Sequence, residues 1–274
     1  MVKRVLAGLL LSTSLLCADL LEQKISGLIS SHAYERNKRF IELLFAKREE
    51  FFTSGRVDFA KVTQRLKENG LLSLTFAAPK ELSISFRTSS SALLFAKSLS
   101  SSLQSLGYYY FAPQKAEYQG GIFTLDIAMT TEHAIDPTLL IREFEKRGYL
   151  VADMKRERED RWSYLLELVS PKIPEAQPLA PRAQSELVRP NGEYWLDLSE
   201  HSGMLVFEPA MAGVHIYPVV TLFDSSLRIV STHTPTERNH NFSVSVPYGV
   251  RFVRLSDLYS PANIKSGIKV QLLP

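Results

Sequence analysis

The sequence predicts an α+β fold: N-terminal helices, a ferredoxin-like β-α-β-β-α-β domain, a proline-rich linker and a C-terminal all-β sandwich. Three observations carry this expectation. Apolar residues recur at helical spacing early in the chain and then mix helical with alternating spacing up to residue 170. Pro171, Pro174, Pro178, Pro181 and Pro190 are five of the 14 prolines, a density that excludes a continuous helix there. Beyond residue 192 the helical period vanishes and short alternating runs follow one another.

The opening "MVKRVLAGLLLSTSLLCAD" reads as an export signal. Lys3 and Arg4 precede an apolar run from Val5 to Leu16, and Leu16-Cys17-Ala18 ends it in a small residue before Asp19. The run has about 12 residues, short of the roughly 20 that a bilayer-spanning helix needs. Residues 1–18 are therefore expected to be a signal peptide, cut after Ala18. The alternative is a lipoprotein signal that keeps Cys17 as an acylated anchor, but Leu16 stands where such signals carry a small residue. An uncut apolar helix is the third reading.

Cleavage would remove the only cysteine, and with it disulfide and thiolate chemistry. The formal charge of +3 would fall to +1 with the loss of Lys3 and Arg4, so no nucleic-acid partner is expected. No later run approaches 18 apolar residues, so no transmembrane span is expected either. The expected location is the periplasm.

Residues 19–70 read as a helical segment. Leu21, Ile25, Leu28, Ile29 and His32 form one stripe, and Phe40, Ile41, Leu44 and Phe45 a second, predicting helix through 20–54 with His32 as a packing residue. Asp58 is placed to cap a further helix whose Phe59, Val62 and Leu66 share a face before Gly70 stops it.

Residues 71–170 carry the α+β domain. "LLSLTF" alternates as a strand, and from Glu81 to Arg156 the order is β-α-β-β-α-β. "ELSISFR" is the first strand. "SALLFAKSLSSSLQSLG" is a helix with Ala92, Ala96, Leu99, Leu103 and Leu106 on one face. "YYYFAPQKAEYQ" is extended, with Pro113 marking an edge or a bulge. "IFTLDIAMT" alternates most clearly. Asp136 and Pro137 start the second helix and Gly148 stops it. "YLVADMKR" and "RWSYLLELV" follow as strands, and both Leu71–Phe76 and Trp162–Val169 are expected to extend the sheet. Both helices end in Gly-Tyr, which reads as a helix-stop habit rather than a repeat.

Residues 171–192 read as an extended linker, and residues 193–274 as a sandwich of about seven strands. No HExxH, GxSxG, Walker-type, GxGxxG or CxxC motif occurs. His233 and His240 flank a polar loop that contains Glu237, and they read as solvated. No catalytic residue, metal or cofactor is assigned.

The candidate surface is aromatic and basic. Tyr108, Tyr109, Tyr110 and Phe111 are consecutive, so in a strand Tyr108 and Tyr110 would face opposite to Tyr109 and Phe111. Tyr118, Arg156, Arg158, Arg161 and Trp162 are expected beside them, in or near a hairpin tip with ion pairs. The functional expectation is a non-catalytic periplasmic scaffold or assembly subunit of a cell-envelope complex, such as a ring or flagellar-motor accessory component. Its partners would be other envelope proteins or further copies of itself. A glycan- or peptidoglycan-binding module is the alternative, and an envelope enzyme with dispersed residues the third.

Overall fold

The computed structural model describes residues 20–188, 193–211, 213–214, 216–234 and 241–274; the expected signal peptide, Cys17, Glu237 and His240 lie outside them. The chain divides into two compact units between Ser170 and Pro171.

In the first unit, the helix expected over 20–54 is broken into pieces. Residues 20–26 form α1, Ser31–Arg36 α2 and Lys38–Leu44 α3. Polar caps make the breaks: Ser30 Oγ accepts from the Ala33 amide at 3.2 Å, and Asn37 Nδ2 donates to the Ala33 carbonyl at 2.8 Å. After a 3-10 turn at Arg48–Phe51 comes a small hairpin, β1 (Phe52–Thr53) and β2 (Arg56–Val57). It reverses through Ser54 and Gly55 at φ 50° and 77°, the paired positive values of a type I′ turn. Leu21, Ile25, Leu28, Ile29, Ile41 and Phe45 are buried, whereas His32 and Phe40 are exposed. His32 is thus not a packing residue, because the stripe does not continue in phase across the cap at Ser30.

Helix α4 (Phe59–Glu68) starts where Asp58 accepts from the Lys61 amide at 3.1 Å, and it buries Phe59, Val62 and Leu66. Of "LLSLTF" only Thr75 and Phe76 are strand; they open β3 (Thr75–Thr88), which carries "ELSISFR" and is irregular between Thr75 and Lys80, while residues 71–74 lie outside it. Then follow α5 (Ala92–Ser105), β4 (Ala112–Gln119), β5 (Ile122–His133), α6 (Pro137–Lys146), β6 (Tyr149–Arg158) and β7 (Arg161–Leu168). The sheet order is β4-β5-β3-β7-β6. The β-α-β-β-α-β order is present, and the extra strand β7 enters between β3 and β6, parallel to β3. Its Trp162, Tyr164 and Leu166 are all buried, as an interior strand requires.

One core serves this whole unit, and the N-terminal helices contribute to it. Phe95 on α5 stands at its centre, with ring centroids of Phe86, Phe123, Phe144 and Tyr149 between 5.7 and 6.3 Å away. The buried face of α5 is rotated from the expected one. Ala96 is exposed, and Ser98 and Ser102 are buried beside Phe95, Leu99 and Leu103. Hydrophobic periodicity does not register short polar side chains such as these serines as part of a buried face.

In the second unit the proline-rich run is not a free linker. Ala176–Pro178 forms β8 and Gln184–Leu187 forms β9. They are followed by β10 (Tyr194–Asp197), β11 (Gly203–Pro209), β12 (Pro218–Phe223), β13 (Ile229–His233), β14 (Phe242–Val246), β15 (Phe252–Asp257) and β16 (Ile268–Leu273). Two sheets, β13-β12-β15-β10-β8 and β14-β11-β16-β9, share one core. Strand β8 pairs in parallel with β10, and β9 pairs antiparallel with β16, each at a sheet edge. Leu179 and Leu187 enter the core. An edge strand bonds on one side only, so proline's extended backbone and missing N–H are tolerated there.

Asp257 organises the turn after β15. Its Oδ2 accepts from the Tyr217 amide at 2.7 Å. Its Oδ1 accepts from the Tyr259 and Ser260 amides at 2.9 and 3.0 Å, and from Asn263 Nδ2 at 2.9 Å. Burial alone would raise the carboxyl's pKa, but the bonds from Ser260, Tyr217, Tyr259 and Asn263 outweigh it and hold the pKa below the usual carboxylate value. The folded pKa is lower than the unfolded one of about 3.9, so this stabilisation is complete above that value and is lost as pH falls through the folded pKa. Asp257→Ala is expected to cost the second unit about 2 kcal/mol near neutral pH. Urea titrations read by Trp195 fluorescence should show the gap to wild type closing as the solution is acidified. A gap independent of pH would show that the ionised carboxylate is not what holds the turn.

Candidate functional site

The helices fill one face of the first unit's sheet and leave the other to polar side chains. Leu82, Ile84 and Phe86 on β3 are buried, and so are Phe123, Leu125 and Ile127 on β5. The alternate positions, Ser83, Ser85, Thr124 and Asp126, therefore point the opposite way and are partly exposed. On this open face Ser85 Oγ donates to Asp126 Oδ1 at 2.6 Å.

A row of paired residues crosses the sheet at one end. Arg158 pairs with Arg161, Arg161 with Ser83, Ser83 with Ala128, and Ala128 with Ala112. Ala112 opens β4 directly after Tyr108–Phe111. The aromatic run and the basic hairpin tip thus reach the same end of the sheet. Arg161 and Ala112 lie three strand steps apart, about 14 Å. A groove of about 380 Å³ runs along the face, lined by Ser83, Ser85, Gln114, Asp126, Glu157 and Arg161. A more open hollow of about 420 Å³ adjoins it, lined by Glu81, Tyr109, Tyr110, Phe111, Gln114 and Thr130. Gln114 lines both because it is the extra residue where the register shifts between Pro113 and Lys115. The bulge and the edge position are what Pro113 signalled.

The aromatic run itself departs from expectation. Residues 108–111 form a loop, not a strand, so alternation does not apply. Tyr108 and Phe111 pack against the core, while Tyr109 and Tyr110 are 68% and 91% exposed. The cause lies at the end of α5, where the Tyr108 amide bonds to the Leu103 carbonyl at 2.9 Å and the Gly107 amide to Gln104 at 3.0 Å. This Schellman closure turns Tyr108 inward. Burial, with the negative charge of Asp136, raises the pKa of its phenol.

Tyr118 has a structural task. Its hydroxyl accepts from the Ala92 amide at 2.9 Å and donates to the Ser90 carbonyl at 3.1 Å, holding the start of α5. Trp162, expected on the surface, is 1% exposed because it faces the helices from an interior strand. Arg156 stacks over its ring at 5.3 Å, and burial lowers the pKa of that guanidinium against the opposing charge of Glu159. Arg158 Nε donates to Asp160 at 3.1 Å, and Lys80 pairs with Glu159, so the tip does carry ion pairs. Arg161 is the basic residue of this group that lines the groove.

The surface that emerges is Tyr109, Tyr110 and Arg161 with Ser83, Ser85, Gln114 and Asp126. Sequence reasoning missed the last four. Their signal was available as the polar members of the same alternation that marked the core. Chemically the groove offers hydroxyls, an amide, carboxylates and one guanidinium, a set suited to holding an extended polar chain. Among the described residues, no group of three or more His, Cys, Asp or Glu is placed to hold a metal ion. His233 Nε2 lies 3.1 Å from Ser231 Oγ and His201 Nδ1 lies 2.7 Å from the Leu198 carbonyl, both local contacts.

No family model and no curated protein matches the chain. Among solved structures it is similar to the secreted serine protease VesC from Vibrio cholerae, with 9% identity over 58% of this chain and 38% of that chain, at a TM-score of 0.18. It is also similar to infectious bursal disease virus Gx strain, with 11% identity over 73% of this chain and 49% of that chain, at a TM-score of 0.15. The chain spans less than half the length of either, and overlaps this loose carry no argument about fold or activity. Among the described residues, no helix is long and apolar enough to cross a membrane.

Proposed function

We propose that the protein is a non-catalytic, exported periplasmic scaffold or assembly subunit of a cell-envelope complex, of the kind that a ring or flagellar-motor accessory component represents. The observation that carries this reading is the Tyr109–Tyr110 pair, two large side chains turned to solvent on a loop held at both ends. Tyrosines are enriched in protein interfaces because a rigid ring supplies contact area and its hydroxyl a hydrogen bond. The adjoining groove of hydroxyl, amide and charged groups supports recognition of a partner's extended segment. Export rests on the signal-like residues 1–18.

The test is photocrosslinking from position 110 in the exporting host, together with the Tyr109→Ala/Tyr110→Ala double variant. Adducts to envelope proteins are expected, along with at least a tenfold loss of the recovered complex in the double variant. Its melting temperature should be unchanged, since both rings are exposed. The same tyrosines beside hydrogen-bonding groups could equally stack on sugar rings. Loss of retention on peptidoglycan with no protein adduct would move the function to glycan binding. Full recovery of the protein complex by the double variant would overturn the interface.

A further inference from the structure

The two edges of the first unit's sheet are treated differently. On β6 the Arg156 amide donates at 2.8 Å to the carbonyl of Gly27, just past α1, so that edge is capped by the chain itself. On the other edge β4 bonds to β5, and among the described residues no strand pairs with its outer side. All eight residues of β4 are exposed or half-exposed. A row of unpaired N–H and C=O groups of this kind is a template for another strand.

The charges on β4 select which strand. Lys115 and Glu117 pair with each other and flank Ala116, with side chains on the same face as Asp126 and Thr124. A guarded edge usually carries charges that repel an incoming copy. This pair is instead self-complementary. In an antiparallel pairing about a two-fold axis at Ala116, Lys115 of each copy lies directly opposite Glu117 of the other. An axis at Lys115 would oppose two lysines, and one at Glu117 two glutamates, so the charges admit one register and disfavour its neighbours.

We propose that β4 is a self-association edge and that its occupant is β4 of a second copy, paired antiparallel about Ala116. The interface is isologous, with the same strand used on both sides, so it closes at a dimer and consumes the open edge of each sheet. About Ala116, Gln119 would stand opposite Pro113, which has no N–H to donate, and Tyr118 opposite the bulged Gln114, so the regular pairing is confined to Lys115–Glu117. Tyr109 and Tyr110 precede this segment and stay available to a different partner. The proposal rests on the scaffold reading for its purpose, as it names one contact by which such a subunit would assemble.

Sedimentation equilibrium of the purified chain tests it, with circular dichroism to confirm folding of each variant. The wild type is expected to show a concentration-dependent monomer–dimer equilibrium that weakens in high salt. Lys115→Glu and Glu117→Lys each turn both cross-copy pairs into like charges, and each is expected to weaken association about tenfold. Mixing the two variants should restore it. One copy then carries a carboxylate at both positions and the other an ammonium at both, so each cross-copy pair again joins opposite charges. A wild type that stays monomeric at every concentration, or single variants that associate like wild type, would overturn the proposal. So would a mixture that does not recover. A monomeric wild type that still gives envelope adducts from position 110 would sink the self-pairing and leave the scaffold reading standing.

Discussion

Gly148→Ala is expected to cost the first unit more than about 4 kcal/mol or to prevent its folding, while Gly107→Ala costs about 1 kcal/mol. Both glycines end a helix, both precede a tyrosine, and both have positive φ, +81° at Gly148 and +88° at Gly107. A side chain is therefore strained at either position. Their surroundings separate them. A Cβ on Gly148 would stand 1.6 Å from the Ser170 carbonyl oxygen and 2.8 Å from its carbon, whereas one on Gly107 would meet nothing within 4 Å. The Gly148 carbonyl also accepts from the Val169 amide at 2.9 Å, which presses the end of β7 onto the helix stop. Relieving the clash means moving backbone, and the nearest backbone is the Tyr149–Leu168 pair that opens the β6–β7 ladder. Urea unfolding followed by Trp162 fluorescence measures both variants. Equal losses at the two sites would refute the close approach.

Phe95→Ala is expected to destabilise the same unit by about 3–5 kcal/mol. That is a large part of the roughly 5–15 kcal/mol that holds a typical domain folded. Phe95 touches four other aromatic rings and is fully buried, so truncation removes contacts on several sides at once. Those rings stand on β3, β5, α6 and β6, which cannot all move inward to fill the space. The two tryptophans, Trp162 and Trp195, fall in different units, so a Trp195→Phe background isolates the transition of the first. A loss below about 1.5 kcal/mol would mean that the core repacks and that Phe95 is not its centre.

Much of the candidate surface was legible only in part. Tyr109 and Tyr110 stood out as aromatic, but which of the four consecutive rings face outward depends on the Schellman closure at Leu103 and on where β4 begins to pair. Trp162 and Arg161 are adjacent in sequence yet Trp162 is buried in the core and Arg161 is exposed, as strand alternation demands once β7 lies inside the sheet. The groove residues Ser83, Ser85 and Asp126 are ordinary polar positions until β3 and β5 pair and bring them side by side.

By itself the sequence determined what depends on neighbours along the chain. Asp58 and Asp136 cap helices where expected, Gly70 and Gly148 end them, and the clearest alternating runs, "ELSISFR" and "IFTLDIAMT", are strands. Capping, positive φ and side-chain periodicity are short-range effects, settled within a few residues. Tertiary structure decided the rest. It placed β7 between β3 and β6, recruited the proline-rich run as β8 and β9, and set the Ser170 carbonyl against Gly148 while leaving Gly107 open. Each of these outcomes rests on hydrogen bonds and contacts between residues far apart in the chain, whose free energy no local pattern contains.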